Sequence, residues 1–151
     1  MKIVIANKFH TPDIIDMLRL YRDETPIESM KHCDNEEYIK KLLSHLFAGR
    51  GIILLAYKEK EIVGMLICFI DQNIWDPNLL VMRELAYYVK KEYRGTSAGY
   101  RLLAKYNEMA EEYKEQGRIK QWTISKMVNS PDLDYSKFGF NKVEETYSQG
   151  I

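Results

Sequence analysis

Apolar and polar positions in the first third of the chain predict one short strand followed by two helices. Lys2–Ala6 is rich in Ile and Val, as strands are. Thr11 is a suitable N-cap residue, and Pro12 suits the first position of a helix. Asp34 and Glu37 form the pattern of a capping box, so a second helix is predicted to begin there. Both helical segments carry apolar residues three and four positions apart, which indicates one buried face on each.

The middle of the chain carries the pattern of consecutive strands. Two apolar runs, Gly51–Tyr57 and Ile62–Ile70, lie on either side of the charged residues 58–61, which predicts a β-hairpin. Leu79–Val89 is predicted as the next strand, after a loop that contains proline. Over residues 98–116 the helical period returns. This part is therefore predicted to hold three strands and then a long helix.

The last part of the chain predicts a strand at Ile119–Met127, a short helix at Pro131–Phe138 and a final strand at Phe140–Tyr147. The element order is then β-α-α-β-β-β-α-β-α-β within one domain, residues 1–151. A strand that returns through a helix to another strand gives a parallel pair, whereas hairpins give antiparallel pairs. The predicted fold class is α/β, with a central α+β mixed sheet and helices on both faces.

Composition and charge narrow the classes of function. With 46% hydrophobic and 29% charged residues, the chain has the composition of a soluble globular protein. The net charge is zero, which disfavours nucleic-acid or membrane partners, and no apolar run approaches the roughly 20 residues that span a bilayer. Cys33 and Cys68 form no CxxC pair, and His10, His32 and His45 lack the spacing of metal ligands. We therefore expect a cytoplasmic protein with no metal site.

Small residues gather between the predicted fourth strand and the long helix, in Tyr93–Leu103. They let the backbone turn sharply, and the free N–H groups at a helix start favour an anion such as a diphosphate. The segment has neither the Gly-Lys-Ser/Thr of a Walker A loop nor the Gly-x-Gly-x-x-Gly of a dinucleotide fingerprint. Taken alone, the pattern fits an anion site and a merely tight connection equally well.

Two motifs resemble those of the GNAT N-acetyltransferase superfamily. Tyr93–Leu103 resembles its acyl-CoA-binding motif, Arg/Gln-x-x-Gly-x-Gly/Ala, with Arg94 and Gly99 at the first and last positions and Ser97 in place of the middle glycine. Residues 135–140 resemble the family's Tyr-x-x-x-Gly-Phe signature. Both motifs occur in the family's order. The resemblance implies the GNAT fold and acetyl-CoA as the co-substrate.

The resemblance also implies where acetyl-CoA would bind. In the family the fourth and fifth strands splay apart, pantetheine pairs with the backbone of the fourth, and the diphosphate lies on the amides of the glycine-containing loop. An asparagine after the fifth strand lies near the pantetheine arm. The residues implied in cofactor binding are Tyr87, Tyr88, Val89, Arg94, Gly95, Thr96, Ser97, Ala98, Gly99, Tyr100 and Asn129.

Two side chains are candidates for acid and base. The resemblance implies Tyr135 as the acid that protonates the coenzyme A sulfur, against the alternative that its ring only packs. Glu84 is the sole acidic residue of the predicted strand Leu79–Val89, and alternation places it on one face with Ala86 and Tyr88. As alternatives, Glu84 forms an ion pair with a neighbour or is exposed, and an ordered water deprotonates the amine.

The acceptor is expected to be a primary amine of a small molecule or protein, entering beside the loop Tyr21–Cys33. Asp23, Glu24 and Glu28 in this loop are candidates to steer a cation, or are simply solvated. Two other functions remain open: an acyl-CoA sensor or scaffold without turnover, and a nucleobase-modifying acyltransferase. The chain ends soon after the predicted sixth strand, so a homodimer is one expected way to complete the sheet.

Overall fold

A five-stranded mixed sheet forms the centre of the computed structural model, which describes residues 1–131 and 133–150. The sheet order is β1-β2-β3-β4-β5, with antiparallel pairs throughout except for the parallel pair of β4 and β5. The predicted hairpins and the parallel return through a helix are confirmed. The strands are β1 (Lys2–Ile5), β2 (Gly51–Lys58), β3 (Glu61–Gln72), β4 (Leu80–Val89) and β5 (Gln121–Thr123).

Three α-helices cover the two faces of the sheet: α1 (Thr11–Asp23), α2 (Glu36–His45) and α3 (Ala98–Glu115). Single helical turns lie at Lys8–His10, Glu28–Met30, Leu46–Arg50, Lys91–Tyr93 and Tyr135–Phe138. None of the helices in the described part of the chain is long and apolar enough to cross a membrane.

The sheet is buried on both faces, which explains why β2 and β3 read as continuous apolar runs. Along β2, Leu54 packs into a cluster with Leu102 of α3, while its neighbour Leu55 packs into a cluster with Ile15 of α1. All of these side chains are at most 1% exposed. At roughly 2 kcal/mol for each fully buried aliphatic side chain, these two clusters supply the main stabilisation of the fold.

The beginnings of the first two helices differ from the prediction by one position. Asn35, not Asp34, caps α2, because its side-chain oxygen accepts the N–H of Tyr38 at 3.0 Å. The carboxylate of Asp34 instead lies 3.2 Å from Arg19 and 3.3 Å from Arg22 of α1, so it joins the two helices. Similarly, Thr11 is the first residue of α1 rather than its cap.

The C-terminal third of the chain contains less regular structure than predicted. The fifth strand is shorter than predicted, the helix predicted at Pro131–Phe138 is a single 3-10 turn, and no strand forms among the described residues after Gly139. Residues 141–150 are all exposed, so a strand there would have no apolar surface to cover. β5 is consequently an edge of the sheet formed by the described residues.

Candidate functional site

A cleft opens where β4 and β5 diverge. Their pairing is limited to residues 81–83 of β4 and 121–123 of β5. β4 continues to Val89, and no strand of the described residues pairs with this second half on the β5 side. The chain after Thr123 therefore borders a V-shaped gap, as the resemblance implies.

The hydrogen-bond pattern of β4 determines which backbone groups face this cleft. The N–H of Lys90 donates to the carbonyl of Val63 on β3 at 2.9 Å. Because groups alternate along an antiparallel strand, Tyr88 also bonds to β3, whereas the N–H and C=O groups of Tyr87 and Val89 point the other way. Of the three residues implied in pantetheine pairing, Tyr87 and Val89 thus present their backbone to the cleft.

A β-bulge at Leu85 changes which way the side chains of β4 point. Glu84 lies opposite Cys68, and Ala86 lies opposite the adjacent Ile67, which leaves Leu85 without a partner in the register. Simple alternation therefore fails here, and the prediction that Glu84 shares a face with Ala86 and Tyr88 is wrong. The residue opposite Glu84, Cys68, packs in the cluster on the α3 side.

Glu84 lies at the vertex of the cleft. Its Oε2 accepts the N–H of Ser125, just beyond β5, at 3.2 Å. Burial raises the pKa of Glu84 to about 7, against the lowering effect of the Ser125 hydrogen bond. The neighbouring cations are engaged elsewhere, Arg83 with Asp71 and Lys90 with Glu61, so Glu84 has no ion pair within the described residues.

Tyr135 and Glu84 both form a hydrogen bond with the backbone of Ser125. The Tyr135 hydroxyl donates to the carbonyl of Ser125 at 3.4 Å, while Glu84 accepts the Ser125 N–H. Asp134 fixes the start of the turn that carries Tyr135 by accepting the N–H of Ser136 at 3.0 Å. Burial, followed by the charge of Glu84, raises the pKa of Tyr135 to about 12. The structure therefore brings the predicted acid and base together on the two backbone groups of one residue.

The loop before α3 has the shape of an anion site. Gly95 has a φ of +87°, which favours glycine. Ser97 takes the N-cap position of α3 without bonding to a helix amide, and its hydroxyl accepts instead from Arg101 Nε at 3.1 Å. Among the described residues no side chain accepts the N–H groups of Gly99 or Tyr100, so they are available to a diphosphate.

Gly99 allows α3 to approach β4 closely. A Cβ atom on Gly99 would lie 3.1 Å from the hydroxyl of Tyr87, and this hydroxyl donates to the Gly99 carbonyl at 2.5 Å. The contact joins the first turn of α3 to the strand that borders the cleft. Thr96 tightens the loop through its hydroxyl, which donates to Tyr93 and accepts from Ala98.

Arg94 and Asn129, both implied in acyl-CoA binding, meet at a residue that the sequence placed in the acceptor loop. Arg94 Nη2 lies 3.0 Å from both carboxylate oxygens of Glu24. Asn129 Nδ2 donates to the backbone carbonyl of Glu24 at 2.7 Å. Because these residues are far apart in the sequence, no local pattern predicts the contact.

Two further residues of the site carry no motif in the sequence. Ser125 is recognised only through its contacts with Glu84 and Tyr135. Tyr21 of α1 packs edge-on against Tyr88 with ring centroids 6.0 Å apart, and burial followed by the charge of Glu84 raises its pKa. No local pattern in the sequence predicts the contact of Tyr21 with Tyr88. Among the described residues no group of His, Cys, Asp and Glu could hold a metal ion.

The sequence was compared with models of known protein families. Residues 14–140 match the model described as "Acetyltransferase (GNAT) family". The chain belongs to the GNAT acetyltransferase family. Membership of this family implies acyl transfer from acetyl-CoA as the general chemistry.

Solved structures of GNAT acetyltransferases share this fold. A structure described as a probable acetyltransferase is 21% identical and covers 100% of this chain and 98% of its own, with a TM-score of 0.72. A predicted acetyltransferase with acetyl-CoA from Clostridium acetobutylicum is 13% identical, with 99% and 95% covered and a TM-score of 0.73. An aminoglycoside acetyltransferase from an uncultured soil metagenomic sample, in complex with sisomicin, is 19% identical, with 98% and 95% covered and a TM-score of 0.68. No curated protein matches the sequence.

Proposed function

We propose that this GNAT acetyltransferase moves an acetyl group from acetyl-CoA to a primary amine of a small molecule or a protein. The observation that carries the proposal is the convergence of Glu84 and Tyr135 on Ser125 at the vertex of the cleft. A carboxylate that accepts a proton and a hydroxyl that donates one are the two groups that transfer to an amine requires.

The residues around the cleft fit acetyl-CoA, which supplies an activated thioester. The outward backbone groups of Tyr87 and Val89 would bind pantetheine as another strand does. The free N–H groups of Gly99 and Tyr100, at the positive end of the α3 dipole, would bind the diphosphate. Gly95 permits the turn between these two sites because of its positive φ.

Glu84 is the proposed base. With a pKa near 7, its carboxylate accepts a proton from the acceptor ammonium and leaves a neutral amine able to attack the carbonyl. A C–N bond then forms and the C–S bond breaks. Tyr135, whose pKa is about 12 and which is therefore protonated at neutral pH, donates its proton to the departing sulfur, and the proton that the attacking nitrogen loses on becoming an amide restores the Tyr135 hydroxyl.

The acceptor is proposed to be cationic before it reacts. The aminoglycoside acetyltransferase with a similar fold acts on amine-rich molecules, as its name states, so aminoglycosides belong among the amines to be tested. At the end of α1, Asp23 pairs with Arg22 at 3.2 Å and Glu24 pairs with Arg94 at 3.0 Å, so these two carboxylates attract a cationic amine only weakly while the pairs are intact. Small polyamines and the amino-terminal or lysine amines of peptides complete the panel.

The test compares the wild type with Tyr135→Phe, using Tyr38→Phe as the matched control. Tyr38 is 63% exposed on α2, far in sequence from the site residues, so its hydroxyl is not expected to matter. Isothermal titration of acetyl-CoA measures binding, and release of the coenzyme A thiol measures turnover against the amine panel. We expect all three proteins to bind acetyl-CoA and only Tyr135→Phe to lose turnover, by about 10²- to 10⁴-fold.

Three other results would each change the proposed function in a different way. Binding without thiol release on any amine would favour the acyl-CoA sensor over the enzyme. Full turnover by Tyr135→Phe would remove Tyr135 as the acid. If the wild type fails to bind acetyl-CoA, the proposed function is wrong at its first step.

A further inference from the structure

Glu24 connects three segments that border the cleft. It follows the last residue of α1, and its backbone N–H bonds to the carbonyls of Tyr21 and Arg22. Its carboxylate lies 3.0 Å from Arg94 in the diphosphate loop, and its carbonyl accepts from Asn129 in the segment after β5. One residue thereby joins the end of α1 to both sides of the gap.

The contact between Glu24 and Arg94 holds Arg94 beside Val89, whose backbone is expected to bind pantetheine. Arg94 Nε donates to the carbonyl of Val89 at 2.9 Å, and that carbonyl faces the cleft. The guanidinium lies 5.5 Å from the centre of the Tyr88 ring. An arriving pantetheine amide would compete with Arg94 for Val89.

The same contact neutralises the charge that would attract a diphosphate. The side chains of Arg94 and Glu24 are 30% and 24% exposed, so their attraction is less screened than that of a fully exposed pair. Lys91, the other cation near Glu24, is 3.9 Å away and 72% exposed. Arg94 is therefore the main cationic partner of the Glu24 carboxylate among the described residues.

We propose that Glu24 is a positioning residue that sets the affinity for acyl-CoA by competing with it for Arg94. Without ligand, Glu24 keeps Arg94 bonded to Val89 across the entrance. When acyl-CoA binds, Arg94 leaves Val89 and Glu24 and turns its charge to the diphosphate. This inference rests on the proposed function, because it requires the cleft to bind acyl-CoA.

The experiment is a double-mutant cycle on coenzyme A binding, with Glu24→Gln, Arg94→Met and the double variant. Gln keeps the size of Glu and can still accept an N–H, but it has no charge to hold Arg94. Glu36→Gln is the matched control, since Glu36 lies on α2 and, within the described part of the chain, forms an ion pair only with Lys40, at 3.6 Å. Isothermal titration at fixed ionic strength gives each dissociation constant.

We expect Glu24→Gln to bind coenzyme A about three- to tenfold more tightly than the wild type, the range for releasing one charge-assisted contact. The gain should vanish in the Arg94→Met background, since no guanidinium remains to compete for. S-acetylpantetheine, which lacks the diphosphate, should show a smaller gain from Glu24→Gln than coenzyme A does. Glu36→Gln should bind as the wild type does.

Three results would overturn this inference and leave the proposed function standing. Equal binding by the wild type and Glu24→Gln would show no competition. Weaker binding by Glu24→Gln would mean that Glu24 prepares Arg94 for the ligand. A gain that persists with Arg94→Met would indicate direct repulsion between Glu24 and the diphosphate. Failure of the wild type to bind coenzyme A would overturn both proposals.

Discussion

Replacement of Glu84 by glutamine tests the buried base through stability as well as activity. The carboxyl has a pKa of about 7, compared with 4.5 for an ordinary Glu, because it is buried at the vertex of the cleft. The folded protein therefore holds a proton that the unfolded chain releases between these two values. In this window the unfolded state binds fewer protons, so the free energy of unfolding falls as pH rises.

The size of the effect follows from the difference of about 2.5 pH units between the two pKa values. At 1.36 kcal/mol per unit, ionised Glu84 destabilises the fold by about 3 kcal/mol above pH 7, and most of this develops between pH 5 and pH 8. Glutamine has no proton to lose and can still accept the N–H of Ser125. Glu84→Gln should therefore match the wild type near pH 5 and exceed its stability by about 2 to 3 kcal/mol at pH 8.

Urea unfolding followed by tryptophan fluorescence at pH 5 and pH 8 measures this difference. The same samples are assayed for release of the coenzyme A thiol. The rate of release by Glu84→Gln should be lower than that of the wild type by about 10²-fold or more, and the wild-type rate should rise with pH up to about 7. Glu36→Gln, which removes an exposed carboxylate, is the control and should show no comparable pH-dependent gain. If Glu84→Gln gains no stability at pH 8 over the wild type, Glu84 ionises as an ordinary carboxyl and our account of the base is wrong.

Three further predictions, of which two concern substitutions, test other parts of the structure. Gly99→Val should weaken coenzyme A binding about tenfold or more by titration, because its side chain would push Tyr87 away from α3; an unchanged affinity would contradict the close packing. Asn35→Ala should lower the free energy of unfolding by about 1 kcal/mol in urea through loss of the α2 cap, and a change below about 0.2 kcal/mol would argue against capping. The edge position of β5 leads us to expect a homodimer by analytical ultracentrifugation, and a monomer at micromolar concentration would refute it.

Periodicity in the sequence was sufficient for the elements that bury a continuous apolar face. α3 and the hairpin of β2 and β3 lie close to their predicted ranges because each has a core on which to pack. The prediction was wrong for Phe140–Tyr147, where a final strand was expected. A strand needs an apolar surface on which to pack, and residues 141–147 have none among the described residues.

The motifs indicated the residues of the candidate site but not the contacts among them. The glycine-containing loop and the tyrosine turn carry local patterns, so Gly99 and Tyr135 could be named from the chain. The bulge at Leu85 depends on pairing with β3, and the contact of Glu24 with Arg94 joins residues 70 positions apart. Such features arise from tertiary packing and leave no periodic signal.

The structure also explains how β4 and β5 separate while the backbone groups of Ser125 remain paired. A continued parallel ladder would use the N–H and C=O groups of Ser125, but Glu84 accepts the first and Tyr135 donates to the second. Where the pairing of β4 and β5 ends, the hydroxyl of Tyr106 also lies within hydrogen-bond distance of two backbone carbonyls, those of Met82 and Thr123. Side chains thus replace the backbone partners at the vertex, which removes the cost of ending the ladder. The proposed acid and base would then have two roles, since the contacts that hold the cleft open also hold both groups at its vertex.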